Sequence, residues 1–310
     1  MIHFGIRTKL KEINQKNKEK RRLFFHNFNY YMPKKYAHKK LYKEIFGTKL
    51  NIDSPITFNE KIQYLLVYHL GKYEGMLSDK IQVKEYVKKK KIKELYIPKT
   101  LKIYQSVDDI QLKDLPKQFV LKCNHGSGGV VICNDQKNFN LEDYIDSLNH
   151  TLHENFAKKM YEYQYRYIKP CIYVEEYLDD SDHHKNPLDY KVYCSNGKAK
   201  SILVCSERDT GLKLSEYDLK WNKIDCVKEE YRPKKEISKP KKLKDIIRIA
   251  EELSIDIPFV RVDLYEIQGK IYFGEFTFSP AAGTCYYYTD EGMKLHGNYI
   301  DLDLYKKSRL

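Results

Sequence analysis

Four stretches of the chain combine residue types that can handle a polyphosphate. The first is Phe119-Val120-Leu121-Lys122-Cys123-Asn124-His125-Gly126-Ser127-Gly128-Gly129-Val130-Val131-Ile132. An apolar run ends in a lysine, a small flexible loop follows, and a second β-branched run closes it. Glycine lets backbone amides approach an anion closely. Consecutive amides make a concave anion site, to which a lysine adds a full charge. The GxxxxGK[ST] pattern of a Walker loop is absent. Taken alone, the stretch reads equally well as a Gly-rich hairpin turn. The second stretch is Phe259-Val260-Arg261-Val262-Asp263-Leu264-Tyr265, followed after Gln268-Gly269 by Ile271-Tyr272-Phe273-Gly274-Glu275-Phe276-Thr277-Phe278. Two strands joined by a tight turn would bring Asp263 and Glu275 together, and paired hard carboxylates beside phosphates suit magnesium. The third, Ile172-Tyr173-Val174-Glu175-Glu176-Tyr177-Leu178, is an apolar strand running into acids that can face an adenine edge and a ribose hydroxyl. The fourth, Asp79-Lys80-Ile81-Gln82-Val83-Lys84, puts Lys80 and Lys84 on one helical face, a spacing that a solvated surface also explains.

These residues need elements to hold them. Thr57 with Glu60 three residues later predicts a capped helix from Glu60 to about Leu70, and a second is expected from Ser78 to about Lys91. Short β-branched or aromatic runs predict strands at 101–104, 119–123, 130–133, 172–177, 190–194, 200–205, 259–265 and 270–276. Helices are expected at 141–160 and 241–253, and residues 1–50 read as helical with a break near Met32-Pro33. Hairpin-joined strands with a few helices predict an α+β fold rather than a doubly wound sheet.

Composition bounds the function. The chain has 310 residues, 42% of them hydrophobic, so it is expected to be globular. No apolar run is long enough to span a bilayer, and the first 22 residues lack the pattern of a secretion signal. A cytoplasmic place is therefore expected. Of 56 basic and 43 acidic residues, 14 basic and 3 acidic fall within residues 1–50, which carry +11 of the net charge of +13. That segment interleaves Arg21, Arg22, Lys34 and Lys35 with Phe24, Phe25, Phe28, Tyr30 and Tyr31. It suits peripheral contact with the anionic inner face of a membrane or with an acidic polymer, and equally a solvated helix packed on the body. No nucleic-acid motif accompanies the charge, so nucleic acid is not the expected partner. The 7 cysteines are odd in number and lack CxxC spacing, which predicts reduced, buried thiols.

The order of the four stretches is more specific than any one of them. A DKxxxK helix start, a strand lysine before a Gly-rich loop, an acidic strand, then RxD and a carboxylate hairpin resemble the ATP-grasp enzymes. The runs LPKQFVLKCNHGSGGVVIC, EEYL, DYKVY, RVDLY and YFGEFTFSPAAG resemble the TupA-like ATP-grasp family, over about residues 54–300. The resemblance implies two α+β subdomains holding ATP between them: a basic helical segment at 1–53, a lid subdomain at 54–178 and a metal-bearing subdomain at 179–310. It implies that Lys84 and Lys122 contact ATP phosphates and that Gly126, Ser127, Gly128 and Gly129 close over them. Glu175, Glu176, Tyr177 and Leu178 would form the adenine-side hinge, and Asp263, Glu275 and Thr277 would hold magnesium. Thr277 stands where ligases of this fold commonly have asparagine. Arg261 would face the transferred phosphate, with Asp189, Lys191 and Arg208 as weaker contacts on the inner sheet. His125 could contact a phosphate or act as a base.

The implied reaction is ATP-dependent joining of a carboxylate to an amine through an acyl-phosphate. The family's setting is bacterial cell-surface polysaccharide and teichuronopeptide synthesis, which makes a uronic acid or acidic polysaccharide the expected acceptor. Two rivals stand beside it. A glycosyltransferase would use a carboxylate pair such as that in Asp179-Asp180-Ser181-Asp182. A non-catalytic protein would dock residues 1–50 on a polyanion or membrane.

Overall fold

The computed structural model describes residues 28–179, 188–206 and 213–307. The chain divides into two compact units, residues 1–52 and 53–310. In the first, helix α1 (Lys34–Phe46) follows Pro33, where a break is expected. It buries Ala37, His38 and Leu41 and ends on Gly47, whose left-handed conformation (φ 71°) lets its N–H reach the Lys43 carbonyl.

The second unit opens with α2 (Phe58–Tyr68), and the Thr57–Glu60 capping box is present in both directions. The helix expected from Ser78 to about Lys91 is α4 (Gln82–Lys90), which starts four residues late, and an unexpected short helix, α3 (Lys72–Ser78), precedes it. The break has a physical cause. The Asp79 carboxylate accepts from the Ile81 and Gln82 N–H groups at 2.9 and 3.3 Å, so it caps α4 and cannot continue α3. The expected helix 141–160 is split into α5 (Glu142–His153) and α6 (Phe156–Lys159), with Asn155 capping the second.

Two sheets carry the site. The smaller has four antiparallel strands in the order β2 (Thr100–Tyr104), β5 (Ile172–Glu176), β3 (Phe119–Cys123), β4 (Val130–Cys133). One face of it buries Phe119, Leu121, Cys123, Val131, Cys133, Ile172 and Val174, with Leu148 and Leu152 of α5. The larger sheet has seven strands. Their order is β1 (Leu95–Tyr96), β11 (Lys270–Thr277), β10 (Val260–Ile267), β6 (Asp189–Ser195), β7 (Lys198–Ser206), β8 (Lys213–Tyr217) and β9 (Lys223–Ile224). Helix α7 (Leu243–Leu253) buries Ile246, Ile249, Ala250 and Leu253 in its core, which also takes in residues of α8 (Asp290–Tyr299) and α9 (Leu302–Lys307).

Packing divides the second unit differently from the expected boundary at 178. Phe58, Ile62, Leu65, Leu77, Val83 and Val87 belong to the core of the larger sheet, and β1 pairs parallel with β11. Helices α2–α4 therefore brace the carboxylate-bearing sheet, although they precede the smaller sheet in sequence. All seven cysteines are free and buried, as their number and spacing predict.

Candidate active site

The smaller sheet keeps one face open. Strand alternation puts Val120 and Lys122 of β3, Val130 and Ile132 of β4, Tyr173 and Glu175 of β5 and Ile103 of β2 on that face, in register. Ile103 at one edge of the sheet and Val130 and Ile132 at the other are about half exposed. An apolar platform beside a lysine suits a base that stacks and a phosphate that pairs.

Glu175 organises the charges there. Its carboxylate accepts from Lys84 Nζ at 2.7 Å and from Lys122 Nζ, and Lys84 also reaches the Pro98 carbonyl and Thr100 Oγ1 at 2.8 and 2.9 Å. Burial works against the Glu175 carboxylate, but Lys122 and Lys84 outweigh it and hold its pKa below the usual range. At Lys84 burial wins. Its pKa is held below that of an ordinary lysine, with Glu175 offsetting only part of the cost.

The Gly-rich loop leaves β3 through Gly126 (φ 68°), Gly128 (φ 93°) and Gly129 (φ 60°). Ser127 and Gly128 are exposed at its tip, whereas Gly126 is buried. A Cβ on Gly126 would stand 2.3 Å from the Phe156 ring, while one on Gly128 would meet nothing within 4 Å. Gly126→Ala is therefore expected to destabilise the fold by about 2 kcal/mol or more, strain and clash together, and Gly128→Ala by about 1 kcal/mol. Urea unfolding of the two variants checks the order, which reverses if the loop does not bear on Phe156.

The larger sheet supplies the carboxylates. Strands β10 and β11 turn at Gln268-Gly269, both at positive φ, the geometry favoured by two-residue hairpins. Asp263 lies directly opposite Glu275, and a bulge follows at once. Gly274 makes the bulge possible, because a Cβ there would come within 2.9 Å of the Asp263 carbonyl and the Tyr265 ring. Arg261 donates to Asp263 from Nε and a terminal nitrogen at 2.7 Å each, and to Thr277 Oγ1 at 3.0 Å. Lys191 bridges Asp189 and Asp263 at 2.6 and 2.5 Å. Burial opposes the Asp263 charge, but Arg261 and Lys191 hold its pKa below the usual carboxylate range. Burial and Arg261 both oppose the Lys191 charge, and Asp189 and Asp263 overcome them.

Lys80 joins the two halves. Its Nζ donates to the Gly126 carbonyl at 2.6 Å and lies 3.3 Å from Glu275. It belongs to the turn between α3 and α4, not to a shared helical face with Lys84. The same turn is tied to the loop by Asn124 Nδ2, which donates to Asp79 at 3.2 Å. Two carboxylates and a hydroxyl on neighbouring strands are the hard oxygen donors magnesium takes, with waters and phosphate oxygens completing the set. No group of three or more His, Cys, Asp or Glu suited to a metal stands among the described residues.

The structure thus brings Lys84 of α4 together with Lys122 and Glu175 of the smaller sheet, and Asp189, Lys191, Arg261, Asp263, Glu275 and Thr277 together on the larger. Other expected residues lie apart. Glu176 points to the sheet edge and accepts from the Lys99 N–H at 2.8 Å. Tyr177 and Leu178 follow β5, half-buried. His125 is buried against the chain after α5, with Nε2 3.4 Å from the Glu154 carbonyl, and burial lowers its pKa. Arg208 and the acids Asp180 and Asp182 lie outside the described residues. Sequence reasoning missed Glu162. Its carboxylate accepts from Ser279 Oγ at 2.6 Å, and Ser279 in turn accepts from Gln164 at 2.8 Å, two residues beyond Thr277. No local pattern marks it.

Among solved structures, the chain is similar to a D-alanine–D-alanine ligase from Bacillus anthracis, at 18% identity and a TM-score of 0.43, covering 76% of this chain and 71% of that one. The same ligase complexed with ATP gives 16% identity and a TM-score of 0.42, over 81% and 73%. An L-amino acid ligase from Bacillus licheniformis gives 13% and 0.37, over 64% and 42%. A search of curated proteins finds no match. The sequence model of the TupA-like ATPgrasp family matches residues 60–301, a span that runs from the capped helix α2 past both sheets to the start of α9. Lysines before and within the small sheet and carboxylates on the last hairpin fall inside that match in the expected order, and the chain belongs to the TupA-like ATP-grasp family, with its α+β fold.

Proposed function

We propose that the protein is an ATP- and magnesium-dependent carboxylate–amine ligase whose acceptor is a uronic acid or other carboxylate of a cell-surface polysaccharide or its precursor. The observation that carries this reading is Lys80, which ties the Gly-rich loop to Glu275 and so sets the phosphate lysines beside the carboxylate hairpin. Lys84 and Lys122, which pair with the Glu175 carboxylate, hold the ATP phosphates. Arg261 faces the phosphoryl group as a substrate carboxylate oxygen attacks the terminal phosphorus and ADP leaves. The amine then attacks the acyl carbon, inorganic phosphate departs and the amine loses a proton. Bound magnesium would neutralise charge on the phosphates. The loop, anchored at Gly126 and exposed at Ser127-Gly128, keeps water from the acyl-phosphate. No described helix is long and apolar enough to cross a membrane. Peripheral membrane contact through residues 1–50 belongs to this proposal, and residues 1–27 lie outside the described ones.

The test is a thermal shift with ATP, with and without magnesium, on the wild type and Lys122→Ala. Saturation at about 100 times the dissociation constant is worth about 2.7 kcal/mol, a readily seen shift. The wild type is expected to show it only with magnesium and the variant to lose it. A shift with a sugar nucleotide and none with ATP overturns the ligase reading in favour of glycosyl transfer.

A further inference from the structure

We propose that Glu162 and Gln164, which meet at the Ser279 hydroxyl just past the carboxylate hairpin, hold the amine substrate. The proposal rests on the ligase reading, in which a nitrogen nucleophile must be placed beside the phosphates.

Three observations carry it. The first is a pair of unused acceptors. Ser279 Oγ gives its one hydrogen to a Glu162 oxygen at 2.6 Å, so towards Gln164 it can only accept, and Gln164 Nε2 donates to it at 2.8 Å. That fixes the Gln164 amide and leaves Oε1 off the Ser279 contact. Gln164 is 1% exposed, yet its Oε1 has no partner among the described residues. The second Glu162 oxygen has no hydrogen-bond partner among them either. Buried polar atoms are nearly always paired, so two unused oxygens on groups that share one hydroxyl mark a place for a donor. An ammonium group is all donor, with three N–H bonds and no acceptor.

The second observation is charge. The other buried carboxylates of the site, Glu175, Asp189 and Asp263, each pair with a lysine or an arginine. Glu162 is as buried as Glu175, and no cation pairs with it among the described residues. Burial pushes its pKa up to about 7, opposed only by the Ser279 hydrogen bond. An ammonium ligand would bring the cation that Glu162 lacks.

The third observation is position. Ser279 follows Thr277 by two residues. The Tyr165 hydroxyl, the titratable group that faces Glu162, also lies in the fields of Glu275 and Arg261 and bonds to Ser78. The turn Tyr163–Tyr167 is pressed onto α3, where a Cβ on Gly75 would stand 2.4 Å from the Gln164 carbonyl. Helix α3 leads into Lys80, which lies 3.3 Å from Glu275. A nitrogen held by Glu162 and Gln164 therefore sits beside the hairpin whose carboxylates would hold magnesium. A carboxyl that titrates near neutrality can take one proton from the ammonium group and free the nitrogen lone pair. The nitrogen then bonds to the acyl carbon, the C–O bond to phosphate breaks, and a second N–H proton leaves with inorganic phosphate. The ligand class is a primary amine, alone or as the end of a larger donor.

Carbon NMR of the full chain, labelled at the glutamate carboxyl groups, tests this. The signal that Glu162→Gln removes belongs to Glu162. Its pH midpoint is read with ethanolamine and D-glucosamine as probes, and with ethylene glycol and D-glucose as counterparts without the nitrogen, each with and without magnesium and AMP-PNP. One amine is expected to lower the midpoint by at least about one pH unit, a tenfold preference for the carboxylate form. The counterparts and potassium chloride at matched ionic strength are expected to leave it in place. Gln164→Leu, which keeps the Glu162 signal, is expected to weaken that amine at least tenfold. A midpoint that neither amine moves, or that potassium chloride moves as far, overturns the proposal. So does equal amine affinity in Gln164→Leu. If AMP-PNP itself fails to bind, the ligase reading falls by that result alone, and the titrations without nucleotide still decide the amine site.

Discussion

Glu275→Gln is expected to cut ATP-dependent phosphate release several hundredfold while leaving the melting temperature almost unchanged, whereas Asp263→Asn is expected to lose both activity and stability. The two carboxylates face each other across β10 and β11 but live in different surroundings. The Asp263 side chain is 1% exposed and neutralises two buried cations, Arg261 and Lys191. Removing one member of a buried ionic group strands the others, at a cost of about 3–5 kcal/mol. The Glu275 side chain is 37% exposed and pairs with Lys80 at 3.3 Å. A pair that open to water contributes at most about 1 kcal/mol. In the proposed ligase each carboxylate would help hold magnesium at the phosphates, where its removal is expected to cost about 3–4 kcal/mol of transition-state stabilisation, or a loss of several hundredfold. Phosphate release and thermal melting of the two variants check the split. An active Glu275→Gln enzyme would remove Glu275 from the metal site. An Asp263→Asn protein as stable as the wild type would show that Arg261 and Lys191 do not depend on it.

The difference between those two residues shows where sequence reading stops. The hairpin, its tight turn and the facing carboxylates were legible, because strand alternation and a two-residue turn are local rules. So were Lys122 and the loop, since a strand lysine followed by glycines is a local pattern. Burial of Asp263 was not, because it depends on Lys191 arriving from β6, 72 residues away. Lys80 and Lys84 share a helical spacing in sequence, yet the Asp79 cap starts α4 only at Gln82, which leaves Lys80 in the turn facing Gly126 and Glu275 while Lys84 on the helix reaches Glu175. Glu175 and Glu176 looked interchangeable, and only strand pairing turns the first onto Lys84 and Lys122 and the second onto the sheet edge. The two-residue strand β1 was missed because it owes its existence to a parallel neighbour, β11, that a local reading does not see.

Glu162 was invisible for the same reason, since its partner Ser279 is 117 residues away, and it carries a clear pH signature. Burial pushes its pKa up to about 7 from an ordinary 4.5, and the hydrogen bond donated by Ser279 recovers only part of that. The folded protein therefore holds a proton there that the unfolded chain releases. For an acid whose pKa is raised on folding, stability is fullest below the unfolded value. It falls as pH rises from 4.5 and is lost above about 7. The span corresponds to at most about 3 kcal/mol, at 1.36 kcal/mol for each pH unit. Glu162→Gln keeps an oxygen to accept from Ser279 and has no charge to bury. It is expected to match the wild type near pH 5 and to exceed its stability near pH 8 by up to about 3 kcal/mol. Asp263 acts with the opposite sign. Its pKa is depressed, so its contribution is present at neutral pH and is lost as pH falls through its low folded value. Wild-type stability is thus expected to decline on both sides of a mildly acidic optimum, and Glu162→Gln to remove only the alkaline decline. Chemical unfolding of both proteins between about pH 4 and about pH 9 checks this. Parallel curves would mean that Glu162 is ionised in the fold. The alkaline limb would then need another group, and Ser279 would accompany a carboxylate rather than a neutral acid two residues beyond Thr277.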